Sequence, residues 1–435
     1  MKRNIFYKLV FCTVALSFYF GYGFNVYFAD LHSHTSFSDG QGMPEEAYLY
    51  ARDTAHIDVL ALTDHTSYLT ENGYQYEKHI ANQFTIPGQF VAIVGQEFGS
   101  LAAFGHFSIF EAESLCPVSA YNLDYTYEWI AQNKVYTQFN HPREGDFNYL
   151  AYNRNGGKYL STLEVVNGSG LYTTFYEDRF VEALNLGWHV APVANQDNHN
   201  RHWGNATTAA GQIPLCGIWA DELTKEKILE AIGNEHVYAC EVKPANDRIY
   251  LRDFSIGSSI MGDFYYTTDH NVAINLSVEA INDFAKLYLY KNGVIYDSVV
   301  SIDTNKFSWI KQDTITNGYY FVKGVQQDGD RFWTAPIWVN YKPQPTGIEA
   351  WPNPIRQSGQ IKFPDVASAV SSEMTIYTME GDQVFKQASD YPQVHTWDGR
   401  NQKGVRLDDG VYYIVIKVKT PTEQKIFKGK VALLK

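Results

Sequence analysis

A histidine pair two residues apart, set behind a short apolar run, constrains this chain more than any other feature. Val26-Tyr-Phe-Ala29 reads as a buried strand, and Asp30-Leu-His-Ser-His-Thr-Ser-Phe-Ser-Asp-Gly40 follows it. Residues two apart in extended backbone point the same way. His32 and His34 therefore converge on one point at the C-terminal end of the strand, which is a ligand geometry for a metal ion. Asp39 and Gly40 lie in a loop able to fold back over that point. Taken alone, such a pair is better explained by satisfied core histidines. What outweighs that explanation is that later strands end the same way.

From about Val26 to Val242, short apolar strands alternate with helical segments. Met43–Ala55 is a helix with Pro44 in its first turn. Ile57–Leu62 is a strand followed at once by Thr63-Asp64-His65, and Phe90–Val94 runs into Gly95-Gln96-Glu97. His106–Phe110 is a short strand opened by a histidine. A helix over Tyr125–Gln132 leads to Val135–Phe139 and then Asn140-His141-Pro142. After strand Leu163–Val166, the helix Tyr176–Leu186 and strand Trp188–Ala194 deliver Asp197-Asn198-His199. Leu223–Asn234 is one more helix, capped by Gly233 or Asn234. Such alternation predicts a parallel sheet with helices outside, either doubly wound or closed into a TIM-like barrel. Polar residues gathered after strand ends favour the barrel, and no Gly-x-Gly-x-x-Gly follows the first strand.

His32, His34, Asp39, His65, Glu97, His106, His141, Asp197 and His199 make six histidines and three carboxylates. That set suits zinc, manganese or iron, and the absence of cysteine disfavours a purely structural zinc. In order, Asp-Leu-His-Ser-His-Thr-x-x-Ser-Asp-Gly, Leu-Thr-Asp-His, Gly-Gln-Glu, Asn-His-Pro and Asp-Asn-His resemble the motifs of the polymerase-and-histidinol-phosphatase (PHP) metallohydrolases. The resemblance covers roughly residues 26–243. It implies a distorted (β/α)7 barrel with a cluster of divalent ions, usually three, and phosphoesterase activity on a small phosphorylated substrate. Carried over, His32, His34, Glu97 and Asp197 would hold one ion. Glu97 would bridge to a second with His106 and His141, and Asp39, His65 and His199 would hold a third. The spacing of His106 from Glu97 varies in the family, and some members have histidine where Asp39 stands.

Asp30 and Asp64 sit beside ligand histidines as acceptors that orient imidazoles. Arg143, Arg201 and His202 flank ligands, where they either bind a substrate phosphate and protonate a leaving oxygen or are surface residues. We take Asp64, Arg143 and His202 as candidates for catalysis beside the metal ligands.

The rest of the chain concerns destination. Lys2, Arg3 and Lys8 precede the apolar run Leu9–Phe20, with Gly21 and Gly23 behind it, the pattern of a secretory signal peptide over residues 1–23 cut near Gly21–Asn25. The run is shorter than the ~20 residues of a spanning helix, and no later stretch would anchor the chain once the signal is removed. Around residue 244 helical periods vanish. Alternating runs at Asn271–Val278, Ala285–Lys291, Gly318–Gln326 and Arg331–Val339, separated by turns at Lys291-Asn-Gly293 and Gln327-Asp-Gly329, predict an all-β sandwich over 244–341. Trp309, Trp333 and Trp338 there are sandwich core rather than a glycan platform. A Pro-rich linker, Lys342–Gly347, precedes a second β-sandwich, so that the barrel of residues 24–243 is followed by two Ig-like modules, the last over 342–435. In that last module Trp351-Pro-Asn-Pro354, Ile376-Tyr-Thr-Met-Glu-Gly381, Trp397-Asp-Gly-Arg-Asn401, Gly404, Gly410-Val-Tyr-Tyr413 and Phe427-Lys-Gly-Lys430 resemble the type IX secretion sorting domain. This implies export through the periplasm to the cell surface or medium by the type IX machinery, with the module cut away from about Thr346.

A net charge of −13 leaves no basic footprint for nucleic acid. Cys116, Cys216 and Cys240 remain after signal removal. A Cys216–Cys240 disulfide is permitted outside the cytoplasm, and small buried hydrophobes explain them equally. Beside the phosphoesterase stand two other readings: a metal-dependent hydrolase of C–N bonds on the same barrel, and a surface binding protein with an inactive barrel. The last predicts lost ligands, and none is lost.

Overall fold

The computed structural model describes residues 24–117, 122–244, 247–342, 347–366, 368–390 and 394–434. The expected signal peptide lies outside them, as does most of the expected linker. The chain divides into two compact units. The first comprises the described residues up to Tyr265 with Ala273–Gln312 and Gly318–Trp338; the second comprises Tyr266–Val272, Asp313–Asn317 and the residues from Val339 onward.

In the first unit, β1 (Asn25–Asp30), β2 (Val59–Leu62), β3 (Val91–Ser100), β4 (Gly105–Phe110), β5 (Thr137–Asn140), β6 (Leu160–Asn167) and β8 (Ala191–Asn195) form a ring, with the two-residue β7 (Thr174–Phe175) on its edge. β2 is buried along its whole length, as a strand covered on both faces must be. Ladders β1–β2, β2–β3, β5–β6 and β6–β8 are parallel. β3–β4 and β4–β5 are antiparallel, which departs from the expected all-parallel sheet. The cause is the short connection between β3 and β4, since only residues 101–104 separate them and a parallel crossover needs a dozen or more. Closure occurs past the end of β8. There Asp197 N donates to His32 O and His34 N to Asn198 O, each at 3.0 Å, and Ser33 and Asn198 form a parallel bridge. Along Asn25–Ala29, β1 pairs antiparallel with β9 (Ile213–Ala220), and β9 pairs with β10 (Val237–Val242).

Helices flank this ring at Pro44–Asp53, Glu71–Phe84, Leu123–Asn133, Glu177–Asn185 and Lys225–Gly233. The second was not read from the sequence; Thr70 caps it, its hydroxyl accepting from Gly73 N at 3.1 Å. Tyr48 and Tyr74 fasten the first two helices to the ring by donating to Ile93 O (2.8 Å) and Ala112 O (3.0 Å). Lys225–Gly233 ends at Asn234, which acts as the cap in a right-handed conformation rather than through a left-handed glycine.

β10 continues into the all-β part through an antiparallel ladder with Arg331–Trp333. The strands expected as Asn271–Val278 and Ala285–Lys291 are one strand, Asn271–Lys291, with a register shift between Phe284 and Lys286. Trp333 and Trp338 are buried core. Cys216 and Cys240 are free thiols. In the β9–β10 register Cys216 stands opposite Ala239 and Cys240 opposite Leu215. That one-residue offset puts the two thiols on opposite faces of the sheet, so no disulfide joins them. In the second unit, a three-stranded and a four-stranded sheet enclose a core that includes Ile361, Met374, Trp397, Ile414 and Val431.

Candidate metal centre

Glu97 lies at the middle of the site, within a strand rather than behind one, because β3 runs on to Ser100 to pair with β4. Burial of this carboxylate is nearly complete, at 2% exposure. Five imidazoles surround it. Glu97 Oε1 lies 3.2 Å from His32 Nε2, 3.1 Å from His106 Nδ1 and 3.1 Å from His141 Nε2. Glu97 Oε2 lies 3.3 Å from His34 Nε2 and 3.0 Å from His65 Nδ1. Asp197 Oδ1 closes the near side, 3.2 Å from His34 Nε2 and 3.5 Å from His32 Nε2. On the open side Asp39 Oδ1 is 3.2 Å from His199 Nε2 and 3.8 Å from His65 Nε2.

All nine residues singled out in the sequence are brought together. They fall into overlapping groups able to hold an ion: His34, Asp39, His65 and His199; His32, His34 and Glu97; His32, His141 and Asp197; and His65, Glu97 and His106. His32, His34, His65 and Glu97 each belong to two of these groups.

The donor chemistry fits metal binding. His32 Nδ1 donates to Glu164 Oε1 at 2.9 Å, which turns Nε2 toward Glu97 and Asp197. His199 likewise commits Nδ1 to Asp197 O at 3.0 Å and turns Nε2 to Asp39. His32 Nε2 and His34 Nε2 stand 3.3 Å apart. Lone pairs crowded against carboxylates repel unless a cation lies between them. With protons as the only cations, burial opposes charge on His34, yet Asp197 and Glu97 outweigh it and push its pKa up to about 10. Burial holds His65 down to about 4 against the pull of Glu97. Burial alone would raise Asp197, but His32 and His34 hold it well below the usual carboxylate range.

The flanking residues behave differently. Asp64 is fully buried and accepts from Thr35 N (2.8 Å), Thr35 Oγ1 (2.6 Å) and Ser38 Oγ. It thus pins the loop behind the histidine pair and reaches His34 only through Ser38, whose hydroxyl is 3.4 Å from His34 Nδ1. Asp30 accepts from Ser33 Oγ (2.7 Å), His32 N and Gln196 N, so it also orders backbone rather than an imidazole. Arg143 is committed to Asp146, at 3.1 Å from Nε, and to Leu101 O, at 2.6 Å from Nη2. Arg201 pairs with Glu46 at 3.3 Å. His202 is exposed and packs edge-on against Tyr50. It lines an open cleft with Asn198, Asn200, Asn205, Leu171 and Tyr172.

One functional residue escaped the sequence reading. Glu164, fully buried inside β6, accepts from His32 Nδ1, from Asn195 Nδ2 (2.9 Å) and from His141 N (2.6 Å), and so aligns two ligand segments at once. Its signal was the single charge inside the apolar run Leu163-Glu-Val-Val166.

Residues 359–433 match the CHU_C type IX secretion signal domain. The chain is therefore exported, to the cell surface or the medium, and none of its described helices is long and apolar enough to cross a membrane. Among solved structures, it is similar to a two-domain protein containing a predicted PHP-like metal-dependent phosphoesterase from Bacteroides vulgatus, with 14% identity over 73% of this chain and 95% of that one, at a TM-score of 0.42. It is also similar to a two-domain fibronectin type III segment of chicken tenascin (12% identity, 42% of this chain, 98% of that one, TM-score 0.17). A third likeness is to PorZ, a surface component of the type IX secretion system of Porphyromonas gingivalis (13%, 51% and 37%, TM-score 0.17). At such scores likeness fixes neither fold nor activity. No curated protein matches the chain.

Proposed function

We propose that this protein is an exported metal-dependent phosphoesterase of the PHP type. The observation that carries the proposal is the convergence on Glu97 of five imidazoles from four separate segments, with Asp197, Asp39 and His199 completing the rim. His32, His34, Glu97 and Asp197 would hold one ion, Glu97 with His106 and His141 a second, and Asp39, His65 and His199 a third. Zinc, manganese and iron suit these donors. Bound ions of this kind neutralise phosphoryl oxygens and lower the pKa of a coordinated water.

The chain's own residues supply position. Glu164 fixes the tautomer and ring plane of His32 and ties down the backbone of His141. Asp64, through Thr35 and Ser38, holds the loop that carries Asp39. The cleft beside Asn198 and His202 is lined by neutral polar groups and by exposed Leu171 and Tyr172, so the alcohol portion of the ester would meet amides and an aromatic face rather than fixed charge. Arg143 follows His141 by two residues and His202 follows His199 by three. His202 would protonate a leaving oxygen from the cleft, whereas Arg143 would have to leave Asp146 to hold a phosphate.

The test is elemental analysis of the purified protein together with a panel of aryl phosphate mono- and diesters, aryl amides and carbamates. Phosphate-ester turnover that tracks metal content is the expected result. Turnover confined to amides would replace this reading by C–N hydrolysis, and a metal-free, inert protein would replace it by a binding role.

A further inference from the structure

A second cluster of carboxylates lies away from this centre, where the chain leaves β10 and meets the hairpin around Gln327-Asp328-Gly329. Asp247, Asp328 and Asp330 each place one oxygen within 4.8 Å of the other two. Asp247 is 4% exposed and Asp330 not at all. Asp247 Oδ1 and Asp330 Oδ1 are buried without a hydrogen-bond partner among the described residues, and so is the carbonyl oxygen of the neighbouring Gln326 side chain. Buried carboxylate oxygens left bare are costly, because desolvation is not offset by any donor.

The nearby cations do not relieve them. Lys243 Nζ donates to the backbone carbonyl of Asp328 at 2.7 Å and stays 4.0 Å from its carboxylate. Arg248 donates to the backbone carbonyl of Asp247. Asn282 Nδ2 bridges Asp247 Oδ2 (2.8 Å) and Asp328 Oδ2 (2.9 Å), while Lys243 N holds Asp330 Oδ2 (2.8 Å). One oxygen each of Asp247 and Asp330 is thus fixed by a donor and the other left over, while both oxygens of Asp328 accept, Oδ1 from Asp330 N at 3.3 Å.

We infer that Asp247, Asp328 and Asp330 form a calcium site that fastens the segment leaving β10 to the Gln326–Arg331 hairpin. All-oxygen donors with no imidazole or thiolate select a hard cation, and calcium tolerates the irregular geometry such loops supply better than magnesium does. Export makes the site useful, since extracellular modules bind calcium with dissociation constants of about 10⁻⁴–10⁻³ M. The amide of Asn282 completes the arrangement: turned over, it offers an oxygen in place of the nitrogen that now separates two of the carboxylates.

The experiment is a calcium chloride titration, by calorimetry and by melting temperature, of the full-length protein with its transition metals in place. The wild type is compared with Asp330→Asn and Asp328→Asn. One saturable equivalent is expected, with a melting temperature that climbs with calcium, a loss of affinity of at least about tenfold in each variant, and unchanged transition-metal content. Asp328 is half-buried, so its variant decides the matter should Asp330→Asn fail to fold. Absence of saturable binding up to about 10 mM overturns the assignment, and so does binding of equal strength in the wild type and Asp328→Asn.

Discussion

Replacing Glu97 by glutamine tests the centre most directly, because shape and volume are kept while one negative charge is removed. In the protein that charge faces five imidazole nitrogens at 3.0–3.3 Å and accepts from Asn140 Nδ2 at 2.9 Å. Any cation held among these groups is a near neighbour of the carboxylate. Two unit charges about 3 Å apart in a medium of effective dielectric constant ~20 attract by about 5 kcal/mol. Relaxation and the glutamine carbonyl recover part of this, leaving about 4 kcal/mol, or about three orders of magnitude in metal affinity or rate. Folding should survive, since glutamine keeps the shape of the side chain and the apolar core, which includes Val91, Ile93, Phe107 and Phe139, is untouched. The assay is metal content by elemental analysis beside kcat on an aryl phosphate, with circular dichroism as the control for folding. Full metal loading and near-normal turnover in Glu97→Gln would refute both the shared-carboxylate assignment and the phosphoesterase reading.

Further expectations concern neighbours of the site and the body of the fold. Glu164→Gln should weaken metal binding by about 10–100-fold without touching a metal, measured by competition with a chromophoric chelator; unchanged affinity would make Glu164 purely structural. Cys116, Cys216 and Cys240 are buried, and burial pushes Cys116 up to about 12. All three should resist iodoacetamide in the native protein and react fully in denaturant without prior reduction. Burial pushes Glu241 up to about 7 against the pull of Arg331, 2.6 Å away, from an ordinary value of 4.5. The folded state therefore holds an extra proton between pH ~4.5 and ~7, and stability falls by about 3 kcal/mol as pH rises through that window. Burial raises Asp30 to about 7 and Asp330 to about 6 as well, so urea titrations at pH 5 and 7.5 should show a smaller slope in Glu241→Gln than in the wild type; an equal slope in both would exclude Glu241 as a source.

The nine clustered side chains were legible because their placement depends on local spacing. His-x-His on extended backbone, Thr63-Asp64-His65 behind β2 and Asn140-His141 at the end of β5 each declare a direction before any tertiary contact forms. The C-terminal module was legible from its motifs, among them Trp397-Asp-Gly-Arg-Asn401 and Gly410-Val-Tyr-Tyr413, which residues 359–433 bear out as a type IX secretion signal domain. Less was legible where partners decide the outcome. Asp64 stands next to a ligand in sequence, yet its carboxylate turns to Thr35 and Ser38 because those donors arrive from another segment. Arg143 reads as a free cation and is occupied by Asp146 and Leu101.

What the sequence determined by itself is the inventory: which side chains stand at the mouth of the first unit, in what order, and that an export module follows. Tertiary structure alone decided how the strands run and which groups touch. β4 reverses because four residues cannot carry a crossover, and that reversal keeps Glu97 inside a strand, with Ser108 across from it and His106 reaching it diagonally from opposite Gly99. Glu164 reaches His32 from 132 positions away, and Cys216 misses Cys240 by one place of register. Side-chain direction along a strand is a local property of the backbone, whereas the identity of the neighbour across the ring exists only once the ring has closed.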